Sequence, residues 1–197
     1  MAEKIHCADE RRPVDIVIAN AGIGGRQVLA PRAGEPVELV RKIFDVNTFG
    51  VVNTLNPLLD RFIDRQSGHV VIVGSIAAHI GVAQAPAYSA SKAAVRLYGE
   101  SLRRLLMPHG VYVTNVSPGF VDTPMSNSLP FNRPFCLSPE NAAKRIAQGI
   151  LRRDREIIFP WQARLAVALS ALVPTSLVDM AISAAARRLE TDTHDQA

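Results

Sequence analysis

The sequence of 197 residues is poor in several features, and each scarcity excludes a class of protein. Its two cysteines cannot build the disulfide framework of a small secreted domain. It has no uninterrupted apolar run of about 20 residues, the length that a membrane-spanning helix needs, and no apolar targeting segment follows Met1. Only 6% of the residues are aromatic and 20% are charged. We therefore predict a folded, soluble protein of the cytoplasm.

The excess of positive charge is small, because 22 lysines and arginines against 18 acidic residues give a formal net charge of +4. Several arginines occur in scattered pairs, which are typical of solvated helix faces and not of a nucleic-acid interface with interleaved aromatic residues. The five histidines show no metal-ligand spacing. The sequence therefore predicts neither nucleic-acid binding nor a metal site.

Four short apolar runs rich in Val and Ile alternate with segments of helical period. The runs are Val14–Ala19, His69–Gly74, Val111–Val116 and Glu156–Phe159, and the main helical segments are Pro36–Arg65, Ala87–Pro108 and a helix that Ser138 caps. This alternation predicts an α/β fold, a doubly wound, Rossmann-like parallel sheet between two layers of helices, with right-handed crossovers. One domain is expected over residues 1–190, followed by a polar tail over 191–197.

The C-terminal third contains the apolar run Leu165–Val173, which Pro174 ends. Nine residues are too few to span a bilayer, so we interpret this region as helices that cover the core or a subunit interface. The alternative is contact with a membrane surface through Trp161 and the flanking arginines.

The stretch from Gly74 to Lys92 carries the candidate chemistry. Tyr88 and Lys92 are four residues apart on a predicted helix, so their side chains share one face. An ammonium beside a phenol favours the phenolate, which predicts a pKa of Tyr88 below its usual ~10 and suits proton transfer near neutral pH. Ser75 follows a buried strand, where it could hold a carbonyl or alcohol oxygen together with Tyr88. Taken alone, a Tyr-x-x-x-Lys pattern is more often an ordinary surface pair, because the pattern is common by chance.

Five landmarks occur in one order along the chain. They are Ile18-Ala19-Asn20-Ala21-Gly22, Val46-Asn47, Ser75, Tyr88-Ser89-Ala90-Ser91-Lys92 and Ser117-Pro118-Gly119-Phe120-Val121-Asp122-Thr123. Together they resemble the short-chain dehydrogenase/reductase family of the classical type, over roughly residues 13–160. The first landmark departs from the family's Asn-Asn-Ala-Gly stretch, because Ala19 replaces the first Asn.

The resemblance implies hydride transfer between NAD or NADP and the carbinol or carbonyl carbon of a small-molecule substrate. It makes Tyr88 the general acid/base, with Ser75 orienting the substrate oxygen and Lys92 lowering the pKa of Tyr88. The backbone carbonyl of Asn47, freed at a helix irregularity, would hold a water of the proton relay. The residues expected at the cofactor are Asn20, Gly22, Tyr88, Lys92, Pro118, Gly119 and Thr123. A homodimer or homotetramer through the two long helices is also implied.

Several of these residues have simpler interpretations. Asn47 could be a polar residue facing solvent, Thr123 the start of a turn before Pro124, and Asn20 with Gly22 a tight turn. For His79 we favour a structural role over contact with substrate. The segment Ala21–Gly25 is interpreted as a strand-to-helix loop, and Pro124–Leu137 falls where the family places a substrate lid.

By the same resemblance, a strand and a glycine-rich turn that binds pyrophosphate should precede the first strand, and nothing before Val14 matches them. We therefore expect an N-terminally truncated chain in which Val14–Ala19 is an exposed apolar edge. Met1–Arg12 is predicted as a helix whose apolar face is formed by Ile5 and Ala8. Two alternatives to a dehydrogenase stay open, a binding or scaffold protein that cannot hold the dinucleotide and an α/β hydrolase that uses Ser75.

Overall fold

The computed structural model describes residues 2–24, 34–130 and 132–170, together with residues 176, 177 and 180. Its strands are β1 (Ile16–Ala19), β2 (Gly68–Val73), β3 (Val111–Pro118) and β4 (Glu156–Phe159). Its helices are α1 (Ala2–Arg11), α2 (Val37–Phe44), α3 (Gly50–Arg65), α4 (Pro86–Leu106), α5 (Pro124–Asn127), α6 (Pro139–Leu151) and α7 (Trp161–Ser170). The predicted tail 191–197 and most of the chain after Pro174 lie outside the described residues.

The four strands form one parallel sheet in the order β1-β2-β3-β4. Helices α3 and α4 cover one face, where Val95 and Leu102 pack with Val70 and Ile72 of the sheet. Helix α6 covers the other face. The predicted α/β sandwich is therefore confirmed, and β2 is buried on both faces over its central four residues.

The connection from β3 to β4 corrects one prediction. Helices α3 and α4 lie on the same face of the sheet, whereas Ile150 of α6 packs against Val71 and Val116 on the opposite face. All three connections step in the same direction across a parallel sheet, so the third must have the opposite hand to the first two. The prediction that every crossover is right-handed is therefore wrong, since the apolar second face of β2 and β3 is what α6 covers.

Strand β1 lies at one end of the described sheet and presents the predicted exposed apolar surface. Val17 and Ala19 are buried under the helices, whereas the alternating residues Ile16 and Ile18 are 45% and 50% exposed on the other face. This pattern follows from the two-residue period of a strand whose second face has no helix upon it in the described structure.

Helix α1 packs against α3 and is anchored through a charge. Ile5 packs on the core as predicted, but Ala8 is exposed, and the buried residue beside it is Asp9. The Asp9 carboxylate accepts hydrogen bonds from the Val14 backbone N–H at 2.7 Å and from the guanidinium groups of Arg61 and Arg65. Burial alone would raise the pKa of Asp9, but these donors lower it to about 2. The predicted apolar face of α1 is thus partly an ion-pair face.

None of the helices in the described part of the chain has the length and hydropathy that a transmembrane span requires.

Candidate active site

The predicted site residues lie at the carboxyl ends of the parallel strands or on helices beside them. Asn20 follows β1, Ser75 lies two residues after β2, and Pro118 ends β3. Parallel strands end at the same edge of a sheet, which is where open α/β folds bind ligands. Tyr88 and Lys92 reach this edge from the first turns of α4.

Asn47 lies in a π-helical turn, Asp45–Phe49, which joins α2 to α3. Within this turn the Gly50 N–H donates to the carbonyl of Asp45, five residues earlier. Such insertions are frequent at functional sites because they alter the regular pairing of helix carbonyls. The helix irregularity expected from the resemblance is therefore present, whereas the relay role of the Asn47 carbonyl stays a prediction.

The Asn47 side chain is fully buried, and both its oxygen and its nitrogen form hydrogen bonds. Its Oδ1 accepts from the Ile23 N–H at 2.8 Å, and its Nδ2 donates to the Ile23 carbonyl at 3.1 Å. Nδ2 also donates to Oγ of Ser91 at 3.1 Å. These bonds exclude the solvent-facing alternative. Asn47 ties the loop after β1 to α4.

Ser91 is a site residue that the sequence analysis named only as part of a motif. Its hydroxyl is buried and donates to the Tyr88 carbonyl at 2.7 Å while accepting from Asn47. A continuous set of hydrogen bonds therefore runs from Ile23 through Asn47 and Ser91 to the backbone of Tyr88. A polar residue three positions after Tyr88, inside an amphipathic helix, was the available signal.

Lys92 is 5% exposed, and its Nζ donates to the Val73 carbonyl at 3.1 Å. A Cβ placed on Gly22 would lie 3.2 Å from both this Nζ and Oδ1 of Asn47. A side chain at position 22 would therefore displace these two groups by a few tenths of an ångström. Burial lowers the pKa of Lys92 to about 8. No carboxylate among the described residues forms a salt bridge with it.

Tyr88 corrects the prediction about its acidity. Its ring centroid is 6.0 Å from Nζ of Lys92. Burial raises the pKa of Tyr88 above its ordinary value, and a hydrogen bond from Ser75 only partly lowers it. The expected lowering by Lys92 is absent from this structure, in which burial is the dominant influence on the pKa of Tyr88. Oγ of Ser75 meanwhile accepts from the Ala77 N–H at 3.1 Å, at the start of a short 3₁₀ turn.

The residues predicted to meet the nicotinamide from β3 make local contacts. Thr123 caps α5, accepting from the Ser126 N–H at 3.4 Å and donating to the Val121 carbonyl at 3.3 Å, as its simpler interpretation proposed. The Gly119 N–H donates to the Phe159 carbonyl at 2.7 Å. Asn20 is exposed. The structure thus brings together Gly22, Asn47, Ser75, Tyr88 and Lys92. Among the described residues, we find no hydrogen bond from Asn20, Pro118, Gly119 or Thr123 to this group.

Gly24 and Met125 are two further neighbours of Tyr88. A Cβ on Gly24 would lie 2.9 Å from the Met125 sulfur and 3.2 Å from the Tyr88 ring. Helix α5, in the predicted lid, therefore approaches Tyr88 at this glycine. The sequence predicts Gly24 in a loop and Met125 in the lid, but it does not place either residue beside Tyr88. Packing between loops about 100 residues apart leaves no local pattern in a sequence.

His79 does not serve Ser75. Its Nε2 lies 3.0 Å from Oγ of Ser117 and 3.6 Å from a carboxylate oxygen of Glu156, and burial lowers the pKa of His79. Ser117 is only 1% exposed, so it is no accessible nucleophile. These contacts support the structural interpretation of His79 and give the hydrolase alternative no histidine at Ser75. The described residues also contain no cluster of three metal-ligating side chains.

Comparison with known proteins agrees with this geometry. Residues 4–133 match the family model described as short chain dehydrogenase. An uncharacterized oxidoreductase of Myxococcus xanthus is 40% identical over 188 residues, which are 95% of this chain and 72% of that protein. A dehydrogenase/reductase SDR family protein 7-like of Drosophila melanogaster is 35% identical over 174 residues, but the chain covers 52% of its length.

Solved structures show the same fold. A short-chain dehydrogenase from Burkholderia cenocepacia J2315 in complex with NADP has a TM-score of 0.78 and 24% identity, over 92% of this chain and 74% of that one. A short-chain dehydrogenase from Streptomyces avermitilis has a TM-score of 0.71 and 20% identity, over 98% of this chain and 76% of that one.

Proposed function

Because the chain belongs to the short-chain dehydrogenase family, an NAD(P)-dependent family of oxidoreductases, we propose that it interconverts an alcohol and a carbonyl compound. The single observation that carries this proposal is the joint placement of Ser75, Tyr88 and Lys92 at the carboxyl end of β2. A nicotinamide dinucleotide would supply or accept the hydride.

The residues around Lys92 fit the nicotinamide-ribose end of such a dinucleotide. Lys92 is a buried cation that donates a hydrogen bond to the Val73 carbonyl, and Gly22, which has no side chain, lies beside it. An ammonium with donors to spare suits ribose hydroxyls, which offer acceptors. Asn20, Pro118, Gly119 and Thr123 would complete this end of the site. The relative from Burkholderia cenocepacia was solved with NADP, but a choice between NAD and NADP for this chain is left to experiment.

In the proposed mechanism, the Tyr88 hydroxyl donates a proton to the substrate oxygen during reduction and takes it back during oxidation. Ser75 would donate a hydrogen bond to the same oxygen, and in the structure its hydroxyl interacts with Tyr88 and opposes the rise in the pKa of Tyr88. Protonated Lys92 lies beside the Tyr88 ring and would donate to the nicotinamide ribose, which places the cofactor next to Tyr88. Asn47 and Ser91 hold the backbone of Tyr88 in place.

A second candidate is a binding protein of the same fold that carries no activity. The observation in its favour is the apolar surface of Ile16 and Ile18 at the free end of the sheet, since exposed apolar strands recruit partners. The chain spans between about a third and three quarters of the length of the relatives it matches, so activity of the whole protein is a proposal in either case.

We also propose a homo-oligomer through the long helices. Phe49, Leu97 and Leu105 are each more than half exposed on α4 and the turn before α3. Light scattering should give a dimer or tetramer, and a monomer at micromolar concentration contradicts this. The cytoplasmic location and a membrane contact through α7 stay predictions from the sequence.

The decisive experiment is to titrate the purified chain with NADPH and NADH, following the fluorescence of Trp161, the only tryptophan. Aldehydes and ketones of increasing size are then supplied, and oxidation of the nicotinamide is followed by absorbance. Saturable binding with turnover supports the dehydrogenase. Absence of turnover in a folded chain with all substrates contradicts it and favours the binding protein.

A further inference from the structure

Helix α4, which carries Tyr88 and Lys92, begins without a cap of its own. Ala85 stands at the N-cap and has no side-chain acceptor, and Pro86 at the first helical position has no N–H. The first backbone donor that needs a partner outside the helix is therefore that of Ala87. This donor is adjacent in sequence to Tyr88, so the catalytic tyrosine sits in the turn that a cap would hold.

A carboxylate from a distant part of the chain occupies the place of the cap. Oε2 of Glu35 accepts from the Ala87 N–H at 2.9 Å, across 52 residues of sequence. The other oxygen, Oε1, is buried and has no hydrogen-bond partner among the residues that the structure describes. A negative charge at a helix N-terminus is stabilised by the helix dipole, which explains why a half-satisfied carboxylate remains there.

Glu35 stands two residues before α2, and α2 packs on the same part of α4. Leu39 and Phe44 lie with Ile43 in a cluster that contains Ala87 and Tyr88. The Glu35 carboxylate and this apolar contact therefore hold the first turn of α4 from one side. In addition, Ser91 donates to the Tyr88 carbonyl and accepts from Asn47.

We propose that Glu35 is a positioning residue for the reaction, which caps α4 from outside the helix and so fixes the hydroxyl of Tyr88 against Ser75. The proposal rests on the function proposed above. Glu35 does not act on the substrate itself. When its carboxylate is removed, the first turn of α4 should open more often, and the fraction of molecules with Tyr88 in place should fall. The turnover number should then fall more than the affinity for substrate does.

The test compares Glu35→Ala and Glu35→Gln with the exposed neighbour Glu38→Ala as the matched control. Amide exchange in residues 87–90 should become about fivefold faster in Glu35→Ala, the equivalent of about 1 kcal/mol for a lost cap. Glu35→Gln, which keeps an acceptor oxygen but not the charge, should show about twofold. The kcat for carbonyl reduction should fall by similar or larger factors, with KM changing less than twofold, and Glu38→Ala should match the parent chain.

A rescue separates positioning from a general loss of fold. Ala85→Ser places a local cap on the same helix, and in combination with Glu35→Ala it should restore both exchange and kcat to within twofold of the parent. Unchanged exchange in Glu35→Ala overturns the proposal, and so does unchanged kcat with faster exchange. If the parent chain shows no turnover at all, the proposed function fails, while the exchange measurement still decides whether Glu35 caps α4.

Discussion

Two buried charges, Asp9 and Lys92, are treated in opposite ways by the fold. Asp9 is surrounded by donors, two guanidinium groups and a backbone N–H, and its pKa falls to about 2. Lys92 donates a hydrogen bond to the Val73 carbonyl, and the pKa of Lys92 falls to about 8 because burial disfavours the charge. One charge is compensated and the other is not.

The difference separates a structural charge from a functional one. A buried charge that keeps its partners contributes to stability, and removing one partner is strongly destabilising. A buried charge without a counterion costs stability and persists where a ligand or a reaction needs it. On this reasoning Asp9 holds α1 on α3, whereas Lys92 is kept for the chemistry at Tyr88.

The largest effect that would sharpen this contrast is expected for Lys92→Met. Carbonyl reduction should fall about 100-fold, because the cation that would hold the nicotinamide ribose beside Tyr88 is lost. The free energy of unfolding, measured in urea, should stay the same or rise, because an uncompensated charge has been removed. The exposed Lys144→Met is the control. A large loss of stability in Lys92→Met would mean that Lys92 is as structural as Asp9.

Asn47→Ala should have the next largest effect. It leaves the N–H and carbonyl of Ile23 and the Ser91 hydroxyl without their partner, which should lower the free energy of unfolding by about 3 kcal/mol. The exposed Asn53→Ala should change it by less than about 0.5 kcal/mol. Equal stability of the two variants in urea would show that the buried amide is not a structural support of the site.

Asp9→Asn should destabilise the chain by about 2 kcal/mol, because charged hydrogen bonds to Arg61 and Arg65 are lost. Activity per folded molecule should not change, since Asp9 holds α1 and not the site. The exposed neighbour Glu10→Gln is the control for a simple change of net charge. Loss of turnover in folded Asp9→Asn would break the proposed division of roles.

The two charges should also give pH dependences of the same sense, each confined to its own pH window. The folded pKa of Asp9 is below its unfolded value, so its contribution is present above about pH 4 and is lost as the pH falls toward 2. The folded pKa of Lys92 is also below its unfolded value, so stability should rise from about pH 8 to 10 as the buried lysine loses its proton. Urea titrations at several pH values should show the first slope vanish in Asp9→Asn and the second in Lys92→Met.

The same contrast explains what could be predicted from sequence. The four strands, the helix carrying Tyr88 and the edge that gathers the site follow from local periodicity and from the rule that parallel strands end together. The partners of Asp9, the cap that Glu35 gives to α4 and the hand of the last crossover depend on segments far apart in the chain. The acidity of Tyr88 was also mispredicted, because spacing shows the neighbouring ammonium but not the burial that outweighs it.

The most direct test of the central claim is the kcat for carbonyl reduction by Tyr88→Phe beside the parent chain, with circular dichroism and urea unfolding measured on both. Loss of the hydroxyl alone should lower turnover by about 100- to 10,000-fold while the fold is retained, because that hydroxyl is the proposed proton donor to the substrate oxygen. Turnover within twofold of the parent chain would contradict the assignment of Tyr88 as the general acid/base.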